Sequence, residues 1–460
     1  MARNGDAVRN DRANGHVTDE KAKGPTRAVV VVPVLLRPQR SEDDSTRPRL
    51  SRSAEARLEE AVGLARAIDL DPVHTSIVTV SDPRPATLLG SGKVSELADI
   101  VKESHAELAI FDHPLTPVQQ RNLEKELHTK VLDRTGLILE IFGERARTKE
   151  GTLQVELAHL NYQKGRLVRS WTHLERQRGG AGFLGGPGET QIEADRRVLQ
   201  DKIVKLKREL ETVRRTRDLH RAKRKKVPFP VVAIVGYTNA GKSTLFNRLT
   251  GAGVLAEDML FATLDPTLRR VRLPHGTPII LSDTVGFISD LPTHLVAAFR
   301  ATLEEVVEAD LVLHLRDISD PDTTAQAEDV EHILADLGVD ANDTQRVIEV
   351  WNKIDLLDEG NRVRLLAGEG RGTPPIAVSA VTGEGIDALM ALIEMRVSGE
   401  LRSLNVTLVP EKLGLIDWLY RNGDVTSRTD NEDGSVSLSI QATQSAREEI
   451  EQRLQGRGKG

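Results

Sequence analysis

Apolar residues in the first third of the chain follow two alternating patterns. Short β-branched runs at residues 28–36 and 73–80 are typical of parallel strands that are covered on both faces. Residues 53–67 and 117–127 instead have apolar positions at helical spacing. The alternation of strand and helix predicts an α/β domain with a mostly parallel sheet over residues 28–147. The polar, charged residues 1–27 before it are expected to be a disordered tail.

Residues 148–226 have heptad patterning instead. Apolar positions at spacings of three and four predict two helices that pack along a coiled-coil seam. The positions are Leu153, Leu157, Leu160, Leu167, Trp171 and Leu174 in the first, and Ile192, Leu199, Ile203, Leu206, Leu210 and Val213 in the second. A loop with six glycines separates them, over residues 178–189. The pattern predicts an antiparallel helical hairpin with a glycine-rich tip.

Charge is distributed unevenly along the chain. Residues 145–226 contain 22 Lys and Arg against 10 Asp and Glu, so this arm carries +12 and the rest of the chain −18, within a total of −6. A basic arm on an acidic body indicates a partner with a phosphate backbone, although a solvated coiled coil is the simpler alternative. Phe183 and Leu184 at the tip favour a partner, because apolar side chains on a glycine-rich loop have little to pack against.

Composition narrows the class of protein. The chain has no cysteine, which excludes disulfides, thiolate metal sites and cysteine nucleophiles. No apolar run approaches the roughly 18 residues of a membrane span, and residues 1–27 do not have the apolar core of a secretory signal. We therefore expect a soluble cytoplasmic protein.

A phosphate-binding loop follows an apolar strand at residues 231–235. The pattern G-x-x-x-x-G-K-[ST] is matched by Gly236, Tyr237, Thr238, Asn239, Ala240, Gly241, Lys242, Ser243 and Thr244. The glycines allow backbone N–H groups to surround phosphate, and Lys242 is positioned to reach the β- and γ-phosphates. The Ser243 hydroxyl is a candidate Mg²⁺ ligand, and the helix that begins here directs its positive end at the phosphates. The whole domain is assigned to residues 227–398 and predicted to be a doubly wound, mostly parallel P-loop fold.

Two further motifs complete the predicted phosphate and metal site. The first is the loop of Phe261, Ala262, Thr263, Leu264 and Asp265, where Thr263 is the candidate for a second Mg²⁺ hydroxyl and Thr267 its rival. The second is the D-x-x-G sequence of Asp283, Thr284, Val285 and Gly286, directly after an apolar strand. Asp283 is expected to hold Mg²⁺ through water, and the Gly286 N–H to meet the γ-phosphate. Lys242, Asp283 and Gly286 are the candidate catalytic residues.

The base pocket is predicted from Asn352, Lys353, Ile354 and Asp355 together with Ser379, Ala380 and Val381. A carboxylate at Asp355 can accept hydrogen bonds from the guanine N1–H and 2-amino group. Adenine has no such pair of donors, so a site built around Asp355 discriminates against it. Asn352 is expected to support the loop, and the Lys353 stem to cover the base. These residues predict a GTP site.

These motifs, together with the segment from Arg178 to Arg197, resemble the HflX family of GTPases over about residues 28–394. The resemblance implies an α/β N-domain, a helical hairpin, a GTPase domain and a variable C-terminal domain, here assigned to residues 399–460 as a small α+β domain with a basic tail. It also implies binding to the large (50S) ribosomal subunit and its rRNA, and dissociation of stalled or idle 70S ribosomes. The candidate contacts are Arg178, Gly179, Gly180, Gly182, Phe183, Leu184, Gly185, Gly186, Arg196 and Arg197.

Two residues suggest how hydrolysis is controlled. Phe287 follows the D-x-x-G sequence, where Ras-type enzymes have a water-orienting glutamine, so slow intrinsic hydrolysis of GTP is expected. Asn239 resembles the asparagine of potassium-activated GTPases, which makes K⁺ a second candidate ion beside Mg²⁺, although an asparagine that only shapes the loop is equally compatible. A ribosome-assembly GTPase and a nucleotide-gated module that binds pre-ribosomal RNA remain the alternative functions. A monomer without a membrane span is expected.

Overall fold

The computed structural model describes residues 25–36, 52–177, 187–224, 229–251, 260–261, 263–264, 266–289, 303–366, 375–398, 402–422, 424–442 and 444–454. Among these residues, no helix combines the length and the apolar character that crossing a membrane requires.

The N-terminal region is an α/β unit with a four-stranded parallel sheet in the order β2-β1-β3-β4. Its elements are β1 (Arg27–Leu35), α1 (Ala54–Arg66), β2 (Asp71–Val80), α2 (Ser91–Glu103), β3 (Leu108–Phe111), α3 (Pro117–Leu127), β4 (Lys130–Asp133) and α4 (Arg134–Arg145). Helix α3 begins at Pro117, as the sequence pattern predicts. The Thr116 side chain and Gln119 form a capping box there. The predicted mostly parallel sheet is present.

Two long helices follow as a hairpin, α5 (Lys149–Gln177) and α6 (Pro187–Arg224). Leu153 and Leu160 of α5 are buried together with Ile203, Leu206 and Leu210 of α6. The heptad positions therefore form the seam at the base of the hairpin, as the sequence predicted. Residues 178–186 of the glycine-rich tip lie outside the described residues. So do residues 1–24 of the tail that is predicted over residues 1–27, whereas Arg27 already begins β1.

A six-stranded sheet in the order β10-β9-β8-β5-β7-β6 forms the next unit, with only β6 antiparallel to its neighbour. Its elements are β5 (Val231–Gly236), α7 (Lys242–Thr250), β6 (Thr267–Arg272), β7 (Pro278–Asp283), β8 (Leu311–Asp317), α8 (Thr323–Asp336), β9 (Val347–Asn352), a 3₁₀ turn (Ile354–Leu356), α9 (Glu359–Leu366), β10 (Ile376–Ala377) and α10 (Ile386–Ser398). Side chains of α7 and α10 pack on one face of the sheet. On the other face, α8 packs into a core that continues into the N-terminal unit.

The C-terminal unit is a three-stranded antiparallel sheet, β11-β13-β12, with helices. Its elements are β11 (Arg402–Leu408), a 3₁₀ segment (Pro410–Leu415), α11 (Ile416–Asn422), β12 (Asp424–Asp430), β13 (Val436–Ala442) and α12 (Gln444–Leu454). The amphipathic pattern of residues 412–420 predicts one α-helix, but the structure has a 3₁₀ segment up to Leu415 and an α-helix only from Ile416. Pro410 and Gly414 favour the tighter 3₁₀ turn there. Strand β12 is polar and exposed, so hydrophobic alternation does not reveal it.

Candidate nucleotide site

Two glycines in the loop after β5 lie so close to neighbouring residues that a side chain would not fit. Gly236 has φ +157°, and a Cβ there would lie 2.2 Å from the Leu315 carbonyl oxygen. Gly241 has φ +90°, and a Cβ there would lie 2.3 Å from Asn352 Nδ2. Only glycine fits both positions without moving a neighbour. The loop therefore delivers Lys242 and Ser243 to the first turn of α7, at the carboxyl edge of the sheet.

The D-x-x-G segment pairs with this loop through the backbone. The Thr238 N–H donates to the Phe287 carbonyl at 2.7 Å, and the Phe287 N–H donates to the Gly236 carbonyl at 3.1 Å. A Cβ on Gly286 would lie 3.0 Å from Lys242 Nζ, which places the Gly286 backbone beside the lysine. The two segments that are predicted to contact the β- and γ-phosphates are thus adjacent.

Lys242 is a buried ammonium aimed at the loop. Its Nζ donates to the Tyr237 carbonyl at 2.7 Å, and the residue is 6% exposed. Burial lowers the pKa of Lys242 to about 8, against the opposing effect of the Asp283 carboxylate. A lysine with one carbonyl partner in a buried loop has donors left for phosphate oxygens, since an ammonium carries three.

Two hydroxyls and a carboxylate converge next to Lys242. Ser243 Oγ lies 2.8 Å and Thr263 Oγ1 3.0 Å from the same oxygen of Asp283, and the two hydroxyl oxygens are 3.0 Å apart. The second Asp283 oxygen, Oδ1, is buried and has no hydrogen-bond partner among the described residues. Burial raises the pKa of Asp283 despite the hydrogen bonds from both hydroxyls. This set of oxygen atoms fits a hard divalent cation such as Mg²⁺. Thr263, rather than its rival Thr267 on β6, joins the cluster.

The base-pocket segments are tied to the phosphate loop by Asn352. Its Nδ2 donates to the Ala240 carbonyl at 2.9 Å, and its Oδ1 accepts from the Ala380 N–H at 3.0 Å. The residue is 1% exposed. Asn352 therefore joins the loop after β5, the end of β9 and the loop after β10 into one pocket.

The remaining pocket residues surround an open mouth. Asp355 is exposed in the 3₁₀ turn, where its carboxylate can meet a base. Lys353 has φ +65°, and its Nζ pairs with Asp317 Oδ2 at 2.7 Å. Ser379 Oγ accepts from the Thr382 N–H at 3.0 Å, and Val381 is 67% exposed. The predicted base-pocket residues lie together at this mouth.

Arg248 is a pocket residue that the sequence motifs do not reveal. From the last turn of α7 its Nε donates to the Ala380 carbonyl at 2.5 Å, and its terminal nitrogen donates to the Val381 carbonyl. Its partners lie 132 and 133 positions away along the chain, so no local pattern indicates them. Arg248 fixes the backbone of the base-pocket loop from the phosphate-binding helix.

Several predicted nucleotide-site residues use their side chains elsewhere. Phe261, Leu264, Val285 and Phe287 are buried in the apolar core that the sheet shares with the N-terminal unit. The Thr284 hydroxyl donates to the Ile234 carbonyl at 2.6 Å. Only the backbone of these residues is available to a nucleotide. Ala262 and Asp265 lie outside the described residues.

The predicted ribosome-contact residues are only partly described. Arg196 and Arg197 are exposed on α6, but Arg178, Gly179, Gly180, Gly182, Phe183, Leu184, Gly185 and Gly186 lie outside the described residues. Lys202 and Lys205, further along α6, are also exposed, whereas the residue after each of them, Ile203 and Leu206, is buried in the seam. The hairpin therefore presents cations on the side away from its own seam.

Family models cover most of the chain in sequence order. Residues 55–143 match a GTP-binding GTPase N-terminal model, residues 145–224 a GTP-binding GTPase middle region, residues 231–353 a 50S ribosome-binding GTPase, and residues 368–460 an HflX C-terminal domain.

Relatives that are described as GTPase HflX align with this chain over most of their length. A "GTPase HflX" from Magnetococcus marinus is 54% identical over 362 residues, which are 78% of this chain and 82% of that protein. The Escherichia coli K12 "GTPase HflX" is 45% identical, over 83% and 89%, and that of Caldanaerobacter subterraneus is 42% identical, over 95% of both. Among solved structures, a GTP-binding protein from Sulfolobus solfataricus in complex with GDP is 23% identical, with a TM-score of 0.41 over 81% of this chain and 98% of that one.

Proposed function

The chain belongs to the HflX family of GTPases, and we propose that it uses GTP to control binding of its helical hairpin to the large (50S) ribosomal subunit and so splits stalled or idle 70S ribosomes. It is a GTP-hydrolysing enzyme with a 50S ribosome-binding GTPase domain. The observation that supports the proposal most strongly is that a GTPase domain, in which Lys242, Ser243, Thr263 and Asp283 converge, directly follows a cationic hairpin in one chain. Ribosomal RNA, GTP and GDP are its partners in this proposal, which places the protein in the cytoplasm.

Each residue of the phosphate site has a distinct task in the proposal. Lys242 binds β- and γ-phosphate oxygens, and the Gly286 N–H binds the γ-phosphate. The hydroxyls of Ser243 and Thr263 and the carboxylate of Asp283 would hold Mg²⁺. When bound there, Mg²⁺ would supply positive charge against the charge that develops on the phosphates. The buried Asp283 Oδ1, without a partner among the described residues, supports this assignment because a buried carboxylate oxygen needs a hydrogen bond.

Guanine selection rests on the exposed carboxylate of Asp355. It accepts from the N1–H and 2-amino group, while Asn352 and Arg248 hold the surrounding loops in place. Asn352 and Arg248 each bond to the backbone of a loop on another side of the pocket. The pocket is therefore preorganised before the base arrives, which lowers the entropic cost of binding.

Hydrolysis of GTP by the isolated protein is proposed to be slow. The Phe287 ring is 1% exposed and lies in the core with Phe142 and Leu64 of the N-terminal unit. A buried aromatic ring cannot orient the attacking water, so another group must do so. We assign that group to the ribosome, which makes GTP a timer for the hairpin.

The experiment is sedimentation of purified 70S ribosomes with the protein and GTP, GDP or a non-hydrolysable GTP analogue. Splitting with GTP or the analogue, but not with GDP, supports the proposal. A Lys202→Glu/Lys205→Glu double variant is expected to lose splitting, since each phosphate contact adds to affinity for RNA. Lys102→Glu/Lys125→Glu, the same charge change on exposed positions of α2 and α3, is the matched control and should split normally.

Two alternatives predict different outcomes of the same experiment. Binding only to immature subunits indicates a ribosome-assembly GTPase. Nucleotide-dependent binding without splitting indicates an RNA-binding module that GTP gates. The basic hairpin favours RNA in all three functions, so only the choice of particle and the fate of the 70S ribosome distinguish them.

A further inference from the structure

A buried carboxylate joins the N-terminal unit to the phosphate loop. Glu60 on α1 is 8% exposed, and its Oε1 accepts from Arg134 at 2.5 Å. Its Oε2 accepts from Arg52 and from the Tyr237 hydroxyl. Burial opposes ionisation of Glu60, but Arg134 and Arg52 outweigh it and hold the pKa of Glu60 below its ordinary value. Glu60 is therefore an anion whose partners include a residue of the GTP site.

The same cluster holds the segment that follows the D-x-x-G sequence. Ser289, three residues beyond Gly286, donates its N–H to the Tyr237 hydroxyl at 2.9 Å. Its carbonyl accepts from Arg134 at 2.8 Å. Because both backbone groups of Ser289 are engaged, this segment cannot shift without breaking hydrogen bonds to the cluster. The segment next to the γ-phosphate site is thereby anchored to the N-terminal unit.

Apolar contacts anchor the segment before Thr263 in a similar way. The rings of Phe261 and Phe142 meet edge to face with centroids 4.8 Å apart. A Cβ on Gly63 of α1 would lie 3.0 Å from a Leu260 methyl group, so this chain also lies against α1. Both segments that flank the proposed metal and γ-phosphate site rest on α1 and α4.

Asp133, next to Arg134, continues the contacts into the hairpin. It is 2% exposed and caps α4 through a 2.8 Å bond from the Gly136 N–H. The same carboxylate accepts from the Tyr162 hydroxyl at 2.5 Å and from Arg166 at 2.7 Å, both on α5. Ser289 is thus linked to the first helix of the hairpin by a hydrogen bond to Arg134, the covalent chain from Arg134 to Asp133, and hydrogen bonds from α5 to Asp133.

We propose that Glu60 and Arg134 are positioning residues that place Tyr237 and Ser289 for GTP hydrolysis and couple the nucleotide state to α5 through Asp133. The alternative is a static ion-pair cluster that merely fastens two units together. Charged, buried groups that hydrogen-bond to both units favour coupling, because a change at Ser289 alters the bonds of Arg134, and the neighbouring Asp133 holds the hairpin. The proposal concerns the isolated protein and does not depend on the ribosome as partner.

The first test compares Glu60→Gln, which keeps the shape and removes the charge, with Glu59→Gln on the exposed face of the same helix. Amide hydrogen exchange of residues 153–166 is measured in the full chain with GDP and with a non-hydrolysable GTP analogue. Wild type and Glu59→Gln are expected to show the same difference between nucleotides, and Glu60→Gln at least about fivefold less. An undiminished difference in Glu60→Gln, or none in the wild type, overturns the coupling.

Tyr237→Phe carries the same test if Glu60→Gln does not fold, because it removes only a hydroxyl. Both variants are expected to lower kcat for GTP at least about fivefold while the affinity for GDP stays within about twofold. A purely structural role predicts an unchanged kcat once folding is matched. An unchanged or raised kcat overturns the positioning role.

The route through Asp133 is tested by a double-mutant cycle with Tyr162→Phe. If both residues act on α5 through one chain of bonds, the combined variant should lose no more of the exchange difference than Glu60→Gln alone. Additive losses would show that the two residues act separately and would overturn this route.

Discussion

Replacing Asn352 by alanine tests whether the base pocket and the phosphate loop form one unit. The amide is 1% exposed and makes two hydrogen bonds, to the Ala240 carbonyl and from the Ala380 N–H. Asn352→Ala leaves both backbone groups buried without a partner. Each unsatisfied group costs about 1–3 kcal/mol, so the free energy of unfolding should fall by about 2–6 kcal/mol.

Binding should weaken for GTP and GDP by the same factor, because Asn352 joins loops that both nucleotides use. We expect an affinity loss of about tenfold or more, which corresponds to about 1.4 kcal/mol or more of binding free energy and reflects the lost preorganisation of the pocket. Urea unfolding gives the stability, and a fluorescent guanine nucleotide titrated at equilibrium gives the affinity. Asn342→Ala, which replaces an exposed asparagine whose side-chain amide donates to Asp340, is the matched control. A change within about 0.5 kcal/mol in Asn352→Ala with unaltered affinity would refute the reasoning.

Three further outcomes follow from single residues. Phe287→Gln should destabilise the protein by about 3 kcal/mol or more in urea without accelerating hydrolysis, because the ring fills a shared core; faster hydrolysis would contradict this. If Asn239 helps hold K⁺, wild type hydrolyses GTP faster in KCl than in NaCl at matched ionic strength and Asn239→Ala does not, whereas equal wild-type rates rule the ion out. The pKa of Glu60 is lower in the folded protein than its ordinary value of 4.5. Its ionised form therefore stabilises the fold above about pH 4.5, and this stabilisation is lost as the pH falls through the lowered pKa. Glu60→Gln should therefore show a shallower loss of stability than wild type between about pH 5 and 3, and parallel curves would contradict the shift.

The nucleotide pocket follows closely from sequence because its motifs are local. Gly236, Gly241, Lys242 and Ser243 lie within one short motif that specifies the phosphate loop, although the atoms that exclude a Cβ at the two glycines come from Leu315 and Asn352. The D-x-x-G residues lie at the end of a strand, so the order of the parallel sheet brings Asp283 beside Ser243. The pattern of hydrophobic residues likewise indicates the seam of the hairpin, since a heptad repeat places its apolar positions on one side of each helix.

The cluster around Glu60 is invisible to such reasoning. Its hydrogen bond to Tyr237 joins residues 177 positions apart, and Glu60 resembles the exposed glutamate before it in the sequence. The same holds for Phe287. The sequence shows that this residue is hydrophobic, but its burial in a core with α4 depends on how the two units pack. Contacts between units depend on the shape and charge of surfaces to which distant segments of the chain contribute. The periodicity of hydrophobic residues does not reveal such contacts.

We propose that the large subunit, contacted through the hairpin tip, controls hydrolysis of GTP in this pocket. Single-turnover hydrolysis measured with and without purified 50S subunits tests it directly, in wild type and in a chain lacking residues 179–188. We expect slow wild-type hydrolysis that 50S subunits stimulate at least about tenfold, which corresponds to about 1.4 kcal/mol in the barrier. The shortened chain should keep the basal rate and lose the stimulation. Fast wild-type hydrolysis that is equal with and without 50S subunits would contradict the claim.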